Sequence, residues 1–221
     1  MAELKGLLFD MDGTLVDNLA FHFRSFEEYA EKMGFTLLEK LSLKHNGRHS
    51  DELFKILIGE ELVAEYGADR LNREKEAYYR ELYRPHMKAV AGVVELIKSA
   101  KEAGIKCAIG SAGCRDNVQF IIDGLGIGEY IDASISGSDV THGKPHPEIF
   151  IKACEALGFE ADECIVVEDA VNGIVAGRRA GCKCLAVTTT ATVEDLREAG
   201  ASICVKDFTE VTIEELKSLV K

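Results

Sequence analysis

The sequence has no apolar run long enough to span a bilayer, and its first residues contain no apolar core of the kind found in signal peptides. It is also poor in positive charge, with 26 lysines and arginines against 38 aspartates and glutamates, a formal net charge of −12. This balance argues against nucleic acid or an anionic membrane as the main partner, and it means that an anionic ligand needs a local positive field. We expect a cytoplasmic monomer without nucleic-acid or membrane partners.

Cysteine pairing of the metal-binding kind is missing as well. The seven cysteines are an odd number, lack zinc-type spacing and mostly lie in apolar segments, so we expect buried free thiols. The sequence contains neither repeats nor low-complexity segments. Its length of 221 residues suits one sizeable domain, or a core domain with a smaller insertion.

What the sequence does contain is an alternation of short apolar runs with segments whose apolar residues have helical spacing. An apolar run ending at Phe9 predicts a first strand, three runs of helical spacing follow, and after Pro85 helices and strands alternate. Such alternation indicates parallel βαβ units. We predict an α/β protein with a doubly wound, Rossmann-like parallel-sheet core, residues 1–16 and 88–221, and a small helical cap, residues 17–87, inserted after the first strand.

Two acids one residue apart, Asp10 and Asp12, follow the first predicted strand. Ligands of open parallel sheets lie beyond the carboxyl ends of the strands, so both acids are expected at the mouth of a crevice. Neighbouring carboxylates repel each other, and a divalent cation or separate roles for the two acids would relieve that repulsion. From this stretch alone, a solvated Asp-Gly turn explains the residues about equally well.

Later predicted strands also end in polar residues. Ser111 follows the second strand among glycines and precedes a helix that Arg115 opens, which suits phosphate binding as well as ordinary helix capping. Lys144 lies between a glycine and a proline, where it is either a cation for a phosphoryl oxygen or an exposed loop lysine. Glu168 and Asp169 end another apolar strand and could bind Mg²⁺ or cap the next helix.

The order of these groups along the chain resembles the order of motifs in the haloacid dehalogenase-like superfamily of phosphatases and phosphomutases. The resemblance covers nearly the whole chain, and the predicted cap lies where that family places a small helical insertion. The four motifs of the family correspond to Asp10-Met11-Asp12-Gly13-Thr14, Ser111, Lys144 and Glu168-Asp169.

The resemblance implies a reaction through an aspartyl-phosphate. Asp10 would attack phosphorus, and Asp12 would protonate the leaving oxygen and later deprotonate water or an acceptor hydroxyl. The same resemblance implies that Mg²⁺ is held by Asp10, the backbone carbonyl of Asp12, Glu168 and Asp169. Because Asp12 is an acid, the motif is similar to that of phosphatases and mutases rather than dehalogenases or phosphonatases.

The transferring oxygens would be held, on the same resemblance, by Ser111, Ala112 and Lys144. Arg115, which opens the helix after this phosphate loop, is a further candidate substrate contact.

The predicted cap bears on whether the enzyme is a phosphatase or a mutase. Its first helix resembles the β-phosphoglucomutase branch, in which a histidine backed by a lysine couples sugar binding to the acid/base, and His22 and Lys75 match these positions. A polar helix residue and a solvated helix lysine are the alternative interpretations. The adjacent Gly47 and Arg48 depart from the mutase pattern and are more similar to sugar-phosphate phosphatases of the same branch.

The sequence therefore predicts a Mg²⁺-dependent phosphohydrolase that acts on a small phosphorylated metabolite, a sugar phosphate. A β-phosphoglucomutase that interconverts β-glucose 1-phosphate and glucose 6-phosphate is the main alternative. A pyrophosphatase and a catalytically silent binding module are the further alternatives.

Overall fold

The computed structural model describes residues 3–39 and 50–220. Its centre is a six-stranded sheet in the order β3-β2-β1-β4-β5-β6, and every neighbouring pair is parallel. The strands are β1 (Gly6–Phe9), β2 (Lys106–Gly110), β3 (Ala133–Ile135), β4 (Cys164–Glu168), β5 (Lys183–Val187) and β6 (Ile203–Val205). This architecture confirms the predicted doubly wound α/β fold.

Ten α-helices lie in the described ranges, and helices and strands alternate after Pro85 as predicted. They are α1 (Leu19–Lys32), α2 (Ser50–Ile58), α3 (Glu60–Tyr66), α4 (Ala68–Tyr83), α5 (Val93–Glu102), α6 (Arg115–Leu125), α7 (Glu148–Leu157), α8 (Val171–Ala180), α9 (Val193–Glu198) and α10 (Ile213–Leu219). Contacts between Cα atoms divide the chain into two units, a core unit (Met1–Asp17 and Lys88–Lys221) and a helical unit (Asn18–Met87).

Strand β1 lies in the middle of the sheet between β2 and β4, and it is apolar throughout, which suits a strand covered on both faces. Its residues Leu7, Leu8 and Phe9 are completely buried, as expected for a strand of a parallel sheet. At its carboxyl end Phe9 pairs with Ile109 of β2 on one side and Val167 of β4 on the other. The residues that follow these three strands are therefore brought together at one edge of the sheet.

The helical unit contains helices α1 to α4 and has its own apolar core, to which Phe26, Phe54 and Leu71 contribute. The sequence predicted three helical runs, whereas the described part of this unit has four helices. The additional helix α3 is set off by Gly59 and Gly67, whose φ angles of 87° and 83° are left-handed and interrupt the helical path.

All seven cysteines are free thiols, and five of them are buried. Cys114 and Cys204 are partly exposed, so the prediction of buried thiols is wrong for these two. Cys114 precedes helix α6 as its N-cap, and Cys204 lies on the edge strand β6, where the sheet covers side chains less completely. Among the described helices, none combines the length and apolar character needed to cross a membrane.

Candidate active site

The two acids after β1 have different neighbours because the strand ends before them. The chain turns at Met11, whose carbonyl accepts a hydrogen bond from the Leu15 amide at 2.8 Å, so strand alternation does not continue to Asp12. Asp10 is buried, with 7% of its surface exposed. Asp12 is partly exposed, and its Oδ2 faces Gly113, where a Cβ would lie 3.6 Å away. The two carboxylates therefore lie in different surroundings.

Three buried carboxylates form what we call the acid cluster: Asp10, Glu168 and Asp169. One oxygen from each lies within 4.8 Å of the other two. The Oε2 of Glu168 accepts the amide hydrogens of Asp169 and Ala170, both at 2.9 Å, which fixes this carboxylate at the start of helix α8. Buried carboxylate oxygens at this spacing could hold a hard divalent cation. The Asp12 carboxylate is not a member of this cluster.

Lys144 is the cation of the site. Its Nζ donates to Oδ1 of Asp10 at 2.5 Å, to Oε1 of Glu168 at 2.8 Å and to the carbonyl of Gly110 at 3.0 Å. It also lies 4.7 Å from the ring centroid of Phe150, within range of a cation–π contact. Only 10% of the Lys144 side chain is exposed, so the alternative of a solvated loop lysine is wrong.

The charges of the site do not balance. Burial raises the pKa of Asp10 well above its ordinary value, and the charges of Glu168 and Asp169 raise it further against the effect of Lys144. Burial and the charge of Glu168 raise the pKa of Asp169 to about 7. Burial would lower the pKa of Lys144, but Asp10 and Glu168 outweigh it and raise that pKa. One ammonium faces three carboxylates, so the site favours a further positive charge.

Hydroxyl groups hold the acid cluster in place, and the sequence prediction missed two of them. Asp169 accepts hydrogen bonds from the side chains of Thr14, at 3.2 Å, and Thr190. Thr189 donates to the carbonyl of Gly13, in the turn after β1. Residues 188–190 are three consecutive threonines directly after β5, and this position at the carboxyl edge of the sheet is the signal that could have identified them.

Gly173 in helix α8 makes room for the acid cluster. A Cβ at this position would lie only 1.7 Å from Oε1 of Glu168 and 1.8 Å from its carboxyl carbon. The group that packs against Gly173 is therefore the carboxylate of Glu168. The carboxylate occupies the space that any other residue type would need.

Because Glu168 must move, Gly173→Ala should lower enzymatic turnover about 10- to 100-fold if the acid cluster holds a metal ion, the range found when a residue supporting a metal ligand is changed. The measurement is steady-state turnover together with thermal unfolding. Gly124→Ala is a matched control, since Gly124 is an exposed glycine of helix α6 and alanine there should favour the helix. Full activity of Gly173→Ala would contradict a functional role for the Glu168 position.

Ser111 is placed at the carboxyl end of β2 as expected. Its side chain is buried, with 1% of the residue exposed, and its Oγ accepts the amide hydrogen of Gly113 at 3.0 Å. Its own amide donates to the carbonyl of Ile135 at 3.0 Å, which ties the loop to β3. Ala112, next to it, is exposed. Phosphate binding by Ser111 and Ala112 stays a prediction.

In the helical unit, both predicted cap residues pack inside their own unit. The ring of His22 stacks on Tyr79 with centroids 3.9 Å apart. Lys75 is 2% exposed, donates to Glu76 at 2.5 Å and lies 4.1 Å from the ring centroid of Phe26. The interpretation of Lys75 as a solvated helix lysine is therefore wrong. A role of His22 and Lys75 in substrate binding stays a prediction.

Three further residues, Gly47, Arg48 and Arg115, were predicted to contact the substrate. Gly47 and Arg48 lie outside the described residues. Arg115 is at the start of helix α6, 74% of its side chain is exposed, and its guanidinium is paired with Asp139. Its contact with substrate stays a prediction.

Comparison with known proteins agrees with this architecture. Residues 7–187 match the family model described as haloacid dehalogenase-like hydrolase. The chain is 32% identical to validoxylamine A 7'-phosphate phosphatase of Streptomyces hygroscopicus subsp. limoneus, over 94% of this chain and 95% of that protein. It is 32% identical to hexitol phosphatase A of Escherichia coli, over 88% of both chains.

A solved structure agrees with the fold over its whole length. The crystal structure of β-phosphoglucomutase from Clostridium difficile superimposes with a TM-score of 0.80 at 25% identity, covering 100% of this chain and 97% of that one. The family match spans most of the chain and includes β1, β2, β4 and β5, whose ends carry the acid cluster and its supporting groups. The chain belongs to the haloacid dehalogenase-like hydrolase family of enzymes.

Proposed function

We propose that this enzyme is a Mg²⁺-dependent phosphohydrolase that acts on a small phosphorylated metabolite, a sugar phosphate, through an aspartyl-phosphate. The observation that carries the proposal is the buried Asp10 carboxylate, bonded to Lys144 and grouped with Glu168 and Asp169 at the carboxyl edge of the sheet. The names of two relatives, a phosphatase of validoxylamine A 7'-phosphate and a hexitol phosphatase, support the substrate class.

In the proposed reaction, an oxygen of Asp10 forms a bond to phosphorus while the bond from phosphorus to the ester oxygen breaks. Asp12 gives its proton to that leaving oxygen. In the second half, Asp12 takes a proton from water, the resulting hydroxide attacks phosphorus, and the Asp10 carboxylate leaves as inorganic phosphate forms. A nucleophile must be ionised, and the charge of Lys144 favours the ionised form of Asp10 against the effect of burial. A general acid must exchange protons, which suits the partly exposed Asp12.

The phosphoryl oxygens need donors and positive charge. The three hydrogens of the Lys144 ammonium are donated to Asp10, Glu168 and the carbonyl of Gly110, so Lys144 would redirect one of them to a phosphoryl oxygen bound beside Asp10. Ser111 would supply its hydroxyl from the neighbouring loop. Mg²⁺, when bound by Asp10, Glu168, Asp169 and the backbone carbonyl of Asp12, would neutralise charge between the carboxylate and the anionic substrate.

A panel of phosphorylated sugars, sugar alcohols and other small metabolites, assayed for phosphate release with Mg²⁺, tests the proposal. We expect release from at least one sugar or sugar-alcohol phosphate, and its loss when the metal is chelated. If no member of the panel is hydrolysed in a Mg²⁺-dependent way, and pyrophosphate is not either, the chain is better explained as a binding module.

The second candidate is a β-phosphoglucomutase. Similarity to the solved mutase favours it, and so does the burial of Lys75, which matches the cap lysine of that branch. The discriminating assay is conversion of β-glucose 1-phosphate to glucose 6-phosphate with a bisphosphate primer, run beside phosphate release from the same substrate. Isomerisation much faster than phosphate release would replace the phosphohydrolase by the mutase.

Mg²⁺ should stabilise the protein more at about pH 8 than at about pH 6, because protons compete with the metal for the acid cluster. Asp169 has a pKa of about 7 in the folded protein against an ordinary 3.8. Between these two pKa values the folded state binds more protons than the unfolded state. Without metal, the free energy of unfolding therefore falls as the pH rises from about 4 to about 7, and it remains low at higher pH.

Thermal unfolding with and without millimolar Mg²⁺ at the two pH values measures this effect, with NaCl at equal ionic strength as the control. An equal or larger increase of Tm at the lower pH would show that the cation binds away from the acid cluster.

A further inference from the structure

We propose that His142, His146 and Glu148 form a second metal site, for a divalent ion that prefers imidazole ligands, such as Zn²⁺. We call these residues the histidine cluster. One ligand atom from each lies within 4.8 Å of the other two. The cluster shares no residue with the acid cluster, the proposed mechanism does not use it, and the proposal does not depend on the proposed function.

The geometry of the pair His142 and Glu148 is already close to that of a bound ion. Nδ1 of His142 lies 3.2 Å from Oε2 of Glu148. Two ligands of a tetrahedral ion at about 2.0–2.1 Å from the metal are about 3.3 Å apart. The imidazole rings of His142 and His146 have centroids 4.6 Å apart, and one ring nitrogen of His146 already lies within 4.8 Å of the ligand atoms of the other two residues. Nδ1 of His146 accepts a hydrogen bond from the Glu148 amide at 3.3 Å, which an ion bound through this nitrogen would replace.

Glu148 is held in position before any ion binds. Its Oε1 accepts from the amide of Thr141 at 3.0 Å and from Nζ of Lys152 at 2.8 Å, and its Oε2 accepts from the amide of His142 at 2.9 Å. A carboxylate with this many donors is ionised, and its place in the first turn of α7 is fixed. A metal ion would replace the contact between Oε2 and the His142 ring rather than disturb these bonds.

The donor set selects the ion. Two imidazoles and one carboxylate suit Zn²⁺, Cu²⁺ and Ni²⁺, whereas Mg²⁺ prefers oxygen ligands and a nearly octahedral shell. The two imidazoles are exposed to solvent, His142 to 63%, so water can fill the remaining position. Lys152 opposes binding because its ammonium neutralises part of the charge on Glu148.

The two histidines of the histidine cluster lie in the loop that carries Lys144. His142 and His146 lie two residues before and two residues after Lys144, whose Nζ binds Asp10 and Glu168. An ion held by both histidines would tie together the two sides of the loop that presents this lysine to the acid cluster.

The experiment is a calorimetric titration of the intact protein with Zn²⁺ in millimolar Mg²⁺, which competes with Zn²⁺ for the carboxylates of the acid cluster. The double variant His142→Ala/His146→Ala should lose one Zn²⁺ site or bind it more than about 100-fold more weakly, since even residues that only support a ligand account for 10–100-fold. His86→Ala, which removes an exposed histidine of the helical unit, should bind as the unchanged protein does.

Lys152→Gln adds a test in the opposite direction, because removing the competing ammonium should tighten Zn²⁺ binding by several-fold. Thermal unfolding in chelator establishes that each variant is folded. Zn²⁺ binding by the double variant with unchanged stoichiometry and affinity would overturn the proposal, and the signal would then belong to other histidines or to the free cysteines.

Discussion

Asp10→Asn is expected to lower phosphate release by a factor on the order of 10⁴ or more, the size of effect seen when a covalent nucleophile is removed. An amide has nearly the shape of the carboxylate but cannot form the bond to phosphorus. The measurement is turnover of the best substrate from the panel, together with transfer of labelled phosphate to the protein. Activity of Asp10→Asn close to that of the unchanged enzyme would refute the aspartyl-phosphate mechanism.

The same variant should be more stable than the unchanged protein when metal is absent. Asp10 is buried beside Glu168 and Asp169, and its raised pKa reports that ionisation there is unfavourable. Replacing one of three crowded acids by a neutral amide should raise the free energy of unfolding by about 1 kcal/mol or more in chelator. Urea unfolding with a chelating agent measures this, and a decrease would mean that the bond from Lys144 outweighs the repulsion.

Lys144→Met is the second change with a large expected effect, and it should impair both folding stability and activity. The ammonium is buried and bonded to two carboxylates, so its loss leaves them without their cation. Removing one partner of a buried ion pair costs about 3–5 kcal/mol. The rate of phosphate release should fall as well as the stability, because no other cation among the described residues is bonded to Asp10.

Lys183→Met is the matched control, since Lys183 is an exposed lysine at the start of β5. It should leave the free energy of unfolding within about 0.5 kcal/mol of the original and turnover unchanged. Urea unfolding and turnover are measured on both variants in Mg²⁺. If Lys144→Met matched Lys183→Met in both measurements, Lys144 could be neither the counter-charge of the acid cluster nor a phosphate ligand.

The sequence was sufficient to predict where the polar groups of the core lie. Each follows a short apolar run, and parallel pairing aligns the ends of such runs at one edge, so Asp10, Ser111 and Glu168 could be placed together without coordinates. The sequence was less informative about Asp12, because a strand pattern cannot tell at which residue the strand ends and the turn begins.

Other features depend on contacts between distant parts of the chain. The packing of loops and helices around the sheet brings Thr190 to Asp169. The same packing places the Glu168 carboxylate in the space beside Gly173. The burial of Lys75 was equally hidden, because a lysine on an amphipathic helix is normally solvated, and its contact with Phe26 forms only when two helices pack together.

The insertion of the helical unit between β1 and β2 has a consequence for how such enzymes can diversify. Residues 18–87 lengthen the connection between these paired strands roughly fourfold, and loop closure then costs only about 1 kcal/mol more, because the entropy depends on the logarithm of length. Every member of the acid cluster belongs to the core unit. A segment of this size can therefore be lengthened, shortened or replaced during evolution with little penalty to the sheet and without changing any residue of the acid cluster.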